Sequence, residues 1–485
     1  MKTLNTIVNN CKIKQVIGAP EKVEVKHLFL DSRRVTPGSL FFAVPGVLTD
    51  GHQYIETAIE KGAVAIVCEQ LPSTILQHIT YIQVEHSASQ VGVMAANFYD
   101  QPSEKLKVVA ITGTNGKTTC ATLLYELFRS LGYKVGLLST IENRIDTQIL
   151  DAQLTTPDAL SLQKLMAQMV EQGCTHCFME ASSHAIVQER LAGIALKGAV
   201  FTNITHDHLD YHQTFKNYIY AKKQLFDKLG KEAFALVNFD DKRGQVMQQN
   251  TKARKLGFSL KSMADFKGKL KANSFEGLQM EINGRESWFR LIGDFNAYNL
   301  LAVYASAVLL GEKEEQVLTA LSGLTPARGR FDQIVSKDNR RFIIDYAHTP
   351  DALENVLKTI QSIRQSKEER IITLVGCGGN RDKEKRPKMA KIAAEYSDLV
   401  VLTSDNPRDE EPETILEDMK KGLQSEELTK SVSISDRKDA IRYAMEQAQG
   451  GDIVLVAGKG HETYQEIKGT KYTFDDKQVI RDLLA

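Results

Sequence analysis

Residues 106–140 read LKVVAITGTNGKTTCATLLYELFRSLGYKVGLLST. The short apolar run 106–112 predicts a buried strand, and the glycine-bearing turn 113–116 ends it. An amphipathic helix then runs to about Ser130, and 134–140 is a second strand, so the stretch is a βαβ unit. In the turn Thr112-Gly113-Thr114-Asn115-Gly116-Lys117-Thr118-Thr119, the glycines let backbone N–H groups point inward around phosphate oxygens. The helix N-terminus adds partial positive charge. Lys117 suits the β- and γ-phosphates, and the Thr118 hydroxyl suits Mg²⁺. Two residues separate Gly113 from Gly116, where the strict P-loop pattern has four. The strand–turn–helix setting, not the spacing, therefore carries the phosphate reading.

Working outward, strands are expected at 175–180, 198–203 and 234–238, with short alternating strands between about 264 and 292 and a hairpin turn at Asn283-Gly284. A helix follows from Ala297 to about Leu310. Glu180 ends the run THCFME and is placed to serve as the metal-side acid, because Mg²⁺ is held by one or two carboxylates together with phosphates. THDHLDYH at 205–212 reads equally as a metal site, a catalytic loop or a solvated turn. Cys174 and Cys177 form a CxxC without a second pair, inside an alternating apolar run, and are read as core residues.

Upstream, 1–104 mixes strands at 39–45, 63–69 and 81–84 with helices near 53–62 and 87–99, and QPSEK at 101–105 reads as a linker. Downstream of Arg341, strands at 342–347, 370–377, 398–404, 431–435 and 452–458 alternate with helices near 351–365, 388–397, 412–423 and 437–449. Five strands separated by helices predict a doubly wound parallel sheet. Four polar loops leave its strands: IIDYAHTPDA (343–352), GCGGNRDKEKRP (376–387), SDNPRDEEP (404–412) and AGKGHETYQ (457–465). Ligands of such sheets bind at that edge. The charge run RDKEKRPK alone would read as a solvated face. The expected fold is thus α/β in three domains: 1–104, a central P-loop-type ATPase domain with a parallel-rich sheet at 105–335, and a Rossmann-like doubly wound sheet at 336–485.

Composition sets the limits. The chain has 485 residues, 42% hydrophobic and 25% charged, which excludes wholesale disorder. Lys+Arg 61 balance Asp+Glu 61, so no bulk basic field exists to hold nucleic acid or an anionic membrane. Apolar runs such as Val64–Cys68 fall far short of a bilayer span, and the N-terminal residues lack a signal-peptide pattern. Six cysteines in this length do not make a disulfide framework. A soluble cytoplasmic protein is expected, without nucleic-acid partner or membrane span, and monomeric.

The ordered set GTNGKT, MEASSH, NITHDHLDYH, YAKKQLF, GDFNAYN, GRFD, DYAHTPD, GCGGNRDKEKRP, DNPR and GKGHE resembles the Mur ligases of peptidoglycan synthesis. The likeness runs from LDSR at 30–33 to GKGHE at 458–462, and the shortened P-loop is the family's own form. Within that family the motifs are closest to the branch that adds meso-diaminopimelate to UDP-N-acetylmuramoyl-L-alanyl-D-glutamate. The resemblance implies conversion of ATP to ADP and phosphate by way of an acyl phosphate. It also implies a set of site residues. Leu30, Ser32 and the loop Val47, Leu48, Thr49 would contact the uridine-muramoyl part. Thr155, Thr156, Ser182, Gln188 and Arg190 would hold the muramoyl-dipeptide. Gly113, Thr114, Asn115, Gly116, Lys117, Thr118 and Thr119 would bind ATP, completed by Asn296, Arg330, Asp345 and His348. Thr118, Glu180, His208 and a carbamylated Lys222 would hold Mg²⁺, with Lys117, Lys222, Glu180 and His208 catalytic. Arg381, Asp405, Asn406, Pro407, Arg408, Gly458 and Glu462 would recognise diaminopimelate.

The family's lysine-adding enzyme lacks the arginine that ends DNPR, and a folylpolyglutamate synthetase-like ligase is not expected to carry LDSR. A P-loop switch or motor leaves the third sheet's polar loops unexplained. A scaffold would bind nucleotide without turnover.

Overall fold

Strand Lys107–Thr112 lies inside an eleven-stranded sheet in the computed structural model, which describes residues 1–46, 49–152 and 154–485. Parallel strands His176–Glu180 and Leu196–Phe201 flank it. Val135–Leu138 lies beyond the first, and Phe234–Asn238 and Arg254–Ser259 lie beyond the second, all parallel. Val108, Val109, Ala110 and Ile111 are fully buried, as continuous apolar runs in a sheet covered on both faces require. Helices Lys117–Ser130, Asp294–Leu309 and Glu314–Gly323 pack their apolar residues on one face. Ala159–Glu171 and Phe215–Asp227 cover the other, in a core that includes the free, buried Cys174 and Cys177.

Both edges of this sheet are antiparallel. Asn283 and Gly284 have φ of 48° and 81° and turn Gly277–Ile282 into Arg285–Phe289, as the Asn-Gly dipeptide predicts. At the opposite edge, Glu142–Ile145 and Gln148–Asp151 form a hairpin that the sequence reading does not contain. Its turn residue with positive φ is Asp146, and no glycine marks it.

The N-terminal sheet has the order Ile13–Ile17, Thr80–Val84, Ala63–Cys68, Ser39–Phe42, His27–Phe29. Ile13–Ile17 and His27–Phe29 add to the three expected strands; His27–Phe29 is too short to show a period, and Ile13–Ile17 has no fully buried residue to mark one. The expected linker holds a short 3₁₀ turn, Pro102–Glu104. No helix among the described residues is long and apolar enough to cross a membrane.

The third sheet contains the five expected parallel strands, in the order Arg341–Asp345, Ile453–Ala457, Ile371–Cys377, Leu399–Ser404, Ser431–Ile434. One further strand, Asp332–Val335, pairs antiparallel with Arg341–Asp345. The chain therefore enters this sheet ahead of the expected boundary at 336, because backbone pairing to Arg341–Asp345 captures the connecting segment.

A buried ion pair holds the edge of this sheet from which two of the polar loops leave. Arg437 and Asp476, at the starts of the last two helices, are both fully buried. Arg437 Nε and Nη2 each lie 2.8 Å from an Asp476 carboxylate oxygen. The guanidinium also donates to the Ser404 carbonyl at 3.3 Å and the Ala457 carbonyl at 3.0 Å, where two strands give way to polar loops. Removing one partner of such a pair strands a buried charge, which typically costs about 3–5 kcal/mol. Asp476→Ala should lose stability on that scale in urea unfolding, and the double replacement Arg437→Met/Asp476→Leu should lose less than the single change.

Candidate active site

The turn after Lys107–Thr112 is shaped by its glycines. Gly116 caps helix Lys117–Ser130 with φ 87°, and a Cβ there would strike Asn299 Oδ1. A Cβ on Gly113 would strike Thr202 Oγ1. Asn203 Oδ1 accepts from Asn115 N at 2.9 Å and its amide donates to Asn115 O at 3.2 Å, fixing the turn from beneath. Asn299 is itself held by Asn296, 2.9 Å from its amide. Asn296 is buried behind this layer and is not among the residues lining the cleft.

The turn opens on a cleft of about 460 Å³. Thr114–Thr119, Glu180, His208 and Lys222 line one side, and Arg330, Asp345 and His348 line the other. Glu180 is fully buried. Its Oε1 accepts from Thr118 Oγ1 at 2.9 Å and Thr140 N at 2.8 Å, whereas Oε2 has no hydrogen-bond partner among the described residues. An unpaired buried carboxylate oxygen is costly, and a hard cation is the kind of group that relieves it.

Two lysines converge on one carbonyl. Lys117 Nζ donates to Gly113 O at 3.0 Å and Thr114 O at 2.8 Å, and Lys222 Nζ donates to the same Gly113 O at 2.8 Å. Burial holds the Lys222 amine well below the usual lysine value, and the Lys117 ammonium pushes the same way. Burial likewise lowers Lys117, with Glu180 opposing.

The far wall comes from the third sheet. Arg330 Nη2 donates to Thr118 Oγ1 at 3.2 Å, and its guanidinium sits 4.6 Å above the Tyr346 ring. Asp345 accepts from Phe331 N at 2.7 Å, and burial raises its carboxyl to about 6. His348 Nδ1 lies 2.8 Å from Tyr346 O, and burial pushes the ring down to about 4, so it is neutral with its proton on Nδ1. Asp351, in the first turn of helix Pro350–Ile363, accepts from Asn115 Nδ2 at 2.8 Å and Thr205 Oγ1 at 3.1 Å. That carboxylate ties the phosphate turn to the third sheet.

Beside Glu180 the expected dipeptide residues form one network. Thr156 Oγ1 donates to Glu180 O at 2.8 Å and accepts from Ser182 N at 3.1 Å. Arg190 Nη1 donates to Thr156 O at 2.7 Å, and its Nη2 donates to Gln188 Oε1 at 2.6 Å. Thr155 accepts from Thr140 Oγ1 at 3.1 Å. Ser182 and Asp158 each cap a helix here, which orients the group.

The histidines of 205–212 go to different neighbours. His206 stacks on Phe215, His212 pairs with Ser183 Oγ at 2.9 Å, and His208, with φ 54°, reaches the cleft next to Asp207.

The expected diaminopimelate residues gather at the third sheet's edge. Arg408 has φ 52°, a strained conformation for a residue with Cβ. Two backbone bonds to strand Tyr464–Ile467 and its turn hold it, Arg408 N to Glu466 O and Lys468 N to Arg408 O. Its side chain reaches Gly379 O at 2.9 Å and Glu466 Oε2 at 3.2 Å. Asn406 Nδ2 donates to Glu462 Oε2 at 2.9 Å. Asp405 and Gly458 lie alongside, where a Cβ on Gly458 would come within 3.1 Å of Asp405 Oδ2. Pro407 connects Asn406 to the strained arginine, and Arg381 is exposed.

Leu30, Ser32 and Thr49 belong to the N-terminal unit and do not line this cleft: Leu30 packs on its core, Ser32 is buried, and Thr49 is exposed. Val47 and Leu48 lie outside the described residues. The sequence reading misses Asp351, Lys459, Glu466 and the fully buried Arg386, whose guanidinium pairs with Glu410 and Asp418 at 2.9 Å. Asp351, Lys459 and Arg386 all stand inside the quoted motifs, Arg386 within a run of charges that reads as surface.

Three family models match the chain: "Mur ligase family, catalytic domain" over residues 24–99, "Mur ligase middle domain" over 111–307, and "Mur ligase, glutamate ligase domain" over 329–460. The UDP-N-acetylmuramoyl-L-alanyl-D-glutamate–2,6-diaminopimelate ligase of Cytophaga hutchinsonii is 59% identical over 463 residues, 95% of each chain. A solved structure of a ligase with that name superposes with TM-score 0.69 at 33% identity, covering 100% of this chain and 98% of that one. The MurF ligase of Thermotoga maritima, solved with ADP, shares the fold at TM-score 0.64 and 19% identity over 96% and 98% of the two chains. The chain belongs to the Mur ligase family.

Proposed function

We propose that this chain joins meso-2,6-diaminopimelate to UDP-N-acetylmuramoyl-L-alanyl-D-glutamate with conversion of ATP to ADP and phosphate, a step of peptidoglycan precursor synthesis. In this proposal residues 1–104 receive the UDP-muramoyl end through Leu30, Ser32 and 47–49. Residues 105–335 bind ATP and the dipeptide, and 336–485 bind the incoming amino acid. The enzyme works as a cytoplasmic monomer.

A carboxylate is a poor electrophile, so the D-glutamate side chain attacks the γ-phosphorus. A P–O bond forms, the bond to the β-phosphate oxygen breaks, and ADP leaves. The diaminopimelate amine, losing a proton, then attacks the acyl carbon, and the tetrahedral adduct expels phosphate to leave the amide. The protein's part is positioning and charge stabilisation. The turn's N–H groups, the helix N-terminus and Lys117 hold the phosphates. Arg330, already at Thr118, adds a cation from the opposite wall. Thr156, Ser182 and Arg190 place the dipeptide beside Glu180.

The unpartnered Glu180 Oε2 beside the Thr118 hydroxyl is the observation that carries this reading, and it fits a hard divalent cation. Thr118, Glu180, His208 and a carbamylated Lys222 would hold Mg²⁺, which supplies charge neutralisation to the phosphates. Incubation with ATP, the UDP-muramoyl-dipeptide and competing amino acids, read by mass, tests the whole. A diaminopimelate adduct with stoichiometric phosphate is expected; a lysine adduct, or ATP turnover without acceptor, overturns it.

Carbamylation needs a neutral amine, and burial beside Lys117 shifts Lys222 in that direction. Lys222→Ala should lower turnover by at least about a hundredfold, and depleting bicarbonate should weaken the wild type but not that variant.

The Arg408 fork suits the distal carboxylate that lysine lacks, and repels a lone ammonium. Arg408→Ala should raise the KM for diaminopimelate by at least about tenfold and narrow its preference over lysine, with the KM for ATP unchanged.

A further inference from the structure

Lys459 lies in the turn after Ile453–Ala457, between two glycines with positive φ, and is fully buried. Its ammonium is 3.0 Å from Glu462 Oε2, 3.1 Å from Asn406 Oδ1 and 3.6 Å from Asp405 Oδ1. Asn406 closes the ring: its amide nitrogen donates to the same Glu462 oxygen at 2.9 Å, and its oxygen accepts from Glu466 N at 2.9 Å. Glu462 Oε2 thus has two donors, while Oε1 has no hydrogen bond among the described residues.

We propose that Lys459 is a positioning residue for diaminopimelate, its ammonium locking Glu462 as an ionised acceptor with one oxygen kept for a substrate ammonium. The inference rests on the ligase reading above and adds to it the group through which Glu462 works. The geometry points to charge balance, not to packing alone. Asp405 and Glu462 are two carboxylates in one buried corner, and like charges in such a corner drive one of them toward its protonated form. Burial raises the Glu462 carboxyl, Asp405 raises it further, and Lys459 pulls it back. The remaining neighbours do not replace that cation. Burial keeps His461 in its neutral form, Tyr346 and Tyr464 are neutral phenols, Arg437 is matched by Asp476, and Arg408 by Glu466.

The sign of the pH effect follows. Without Lys459 the Glu462 carboxyl titrates higher, so at lower pH it is protonated and cannot accept an ammonium. As pH rises through the new value, the carboxylate and the affinity return.

Steady-state kinetics of Lys459→Met from about pH 6.5 to 9 test this, each KM divided by the wild-type value at the same pH to cancel titration of the substrate. The ratio for diaminopimelate should stand well above one at the acid end of this range, growing about tenfold for each pH unit below the variant carboxyl's titration point, and should shrink steadily with rising pH. The kcat and the KM for ATP should stay within about twofold of wild type, a small fraction of a tenfold step. Lys459→Gln, which restores a donor without charge, should show the same pH-dependent ratio, and it carries the test if the methionine variant does not fold. In Lys459→Met/Glu462→Gln the pH dependence should vanish. A ratio that is flat with pH, or a normal KM in Lys459→Gln, overturns the inference. A wild type that does not turn over diaminopimelate at all overturns the ligase reading instead.

Discussion

Two lysine amines drawn to one carbonyl oxygen set the terms for the rest of the molecule. Lys117 and Lys222 both donate to Gly113 O, Lys117 half-buried in the cleft wall and Lys222 buried behind it. Neighbouring cations in such a place raise one another's cost, and burial shifts the Lys222 amine toward its neutral form. Glu180 supplies an acid beside Lys117, and one of its oxygens has no donor among the described residues. The middle sheet's parallel strands bring these groups together: the turn and Glu180 leave neighbouring strands at the same end, and Lys222 comes from helix Phe215–Asp227 packed alongside.

In the proposed function the two sheets recognise their ligands by different means. The middle sheet offers mainly backbone, with Lys117 beside it: a glycine turn, a helix N-terminus and buried asparagines that hold the turn's shape. Phosphates suit that, because their oxygens accept from any donor presented at the right angle. The third sheet uses charged side chains, each braced by another. Arg386 pairs with Glu410 and Asp418, Arg408 with Glu466, and Lys459 with Glu462. An amino acid with charges at both ends calls for this kind of surface, where each charge must meet its opposite at a fixed place.

Much of this was legible in the chain. The strand–turn–helix at 107–130 and the Asn283-Gly284 hairpin are local, and local sequence determines them. The five alternating strands after Arg341 announce their sheet by period alone. The hairpin 142–151 was not legible, because Asp146 takes the left-handed position without a glycine to mark it. Arg386 stands among six charged neighbours and reads as surface; only the fold brings Glu410 and Asp418 around it. Asp351 and Lys459 were visible as letters in motifs, but Asn115, which Asp351 binds, lies 236 residues away, and Asn406, which joins Lys459 to Glu462, lies 53 residues from Lys459. Residue type gave the chemistry available at these positions, and long-range packing decided where it was used.

The clasp between Arg437 and Asp476 bears on how the chain is made. Domains fold as units while the polypeptide emerges from the N-terminal side. A nascent chain that has emerged only as far as Arg437 already contains every phosphate-binding residue of the middle sheet, and can settle there. Its third sheet still lacks strand Ile453–Ala457, which belongs between Arg341–Asp345 and Ile371–Cys377, and it lacks the carboxylate that lets a guanidinium sit in that interior. Closure of the amino-acid edge must therefore wait for helix Asp476–Leu484. Until that helix docks, the ribosome-bound chain has its glycine turn in place and an unfinished third sheet beside it.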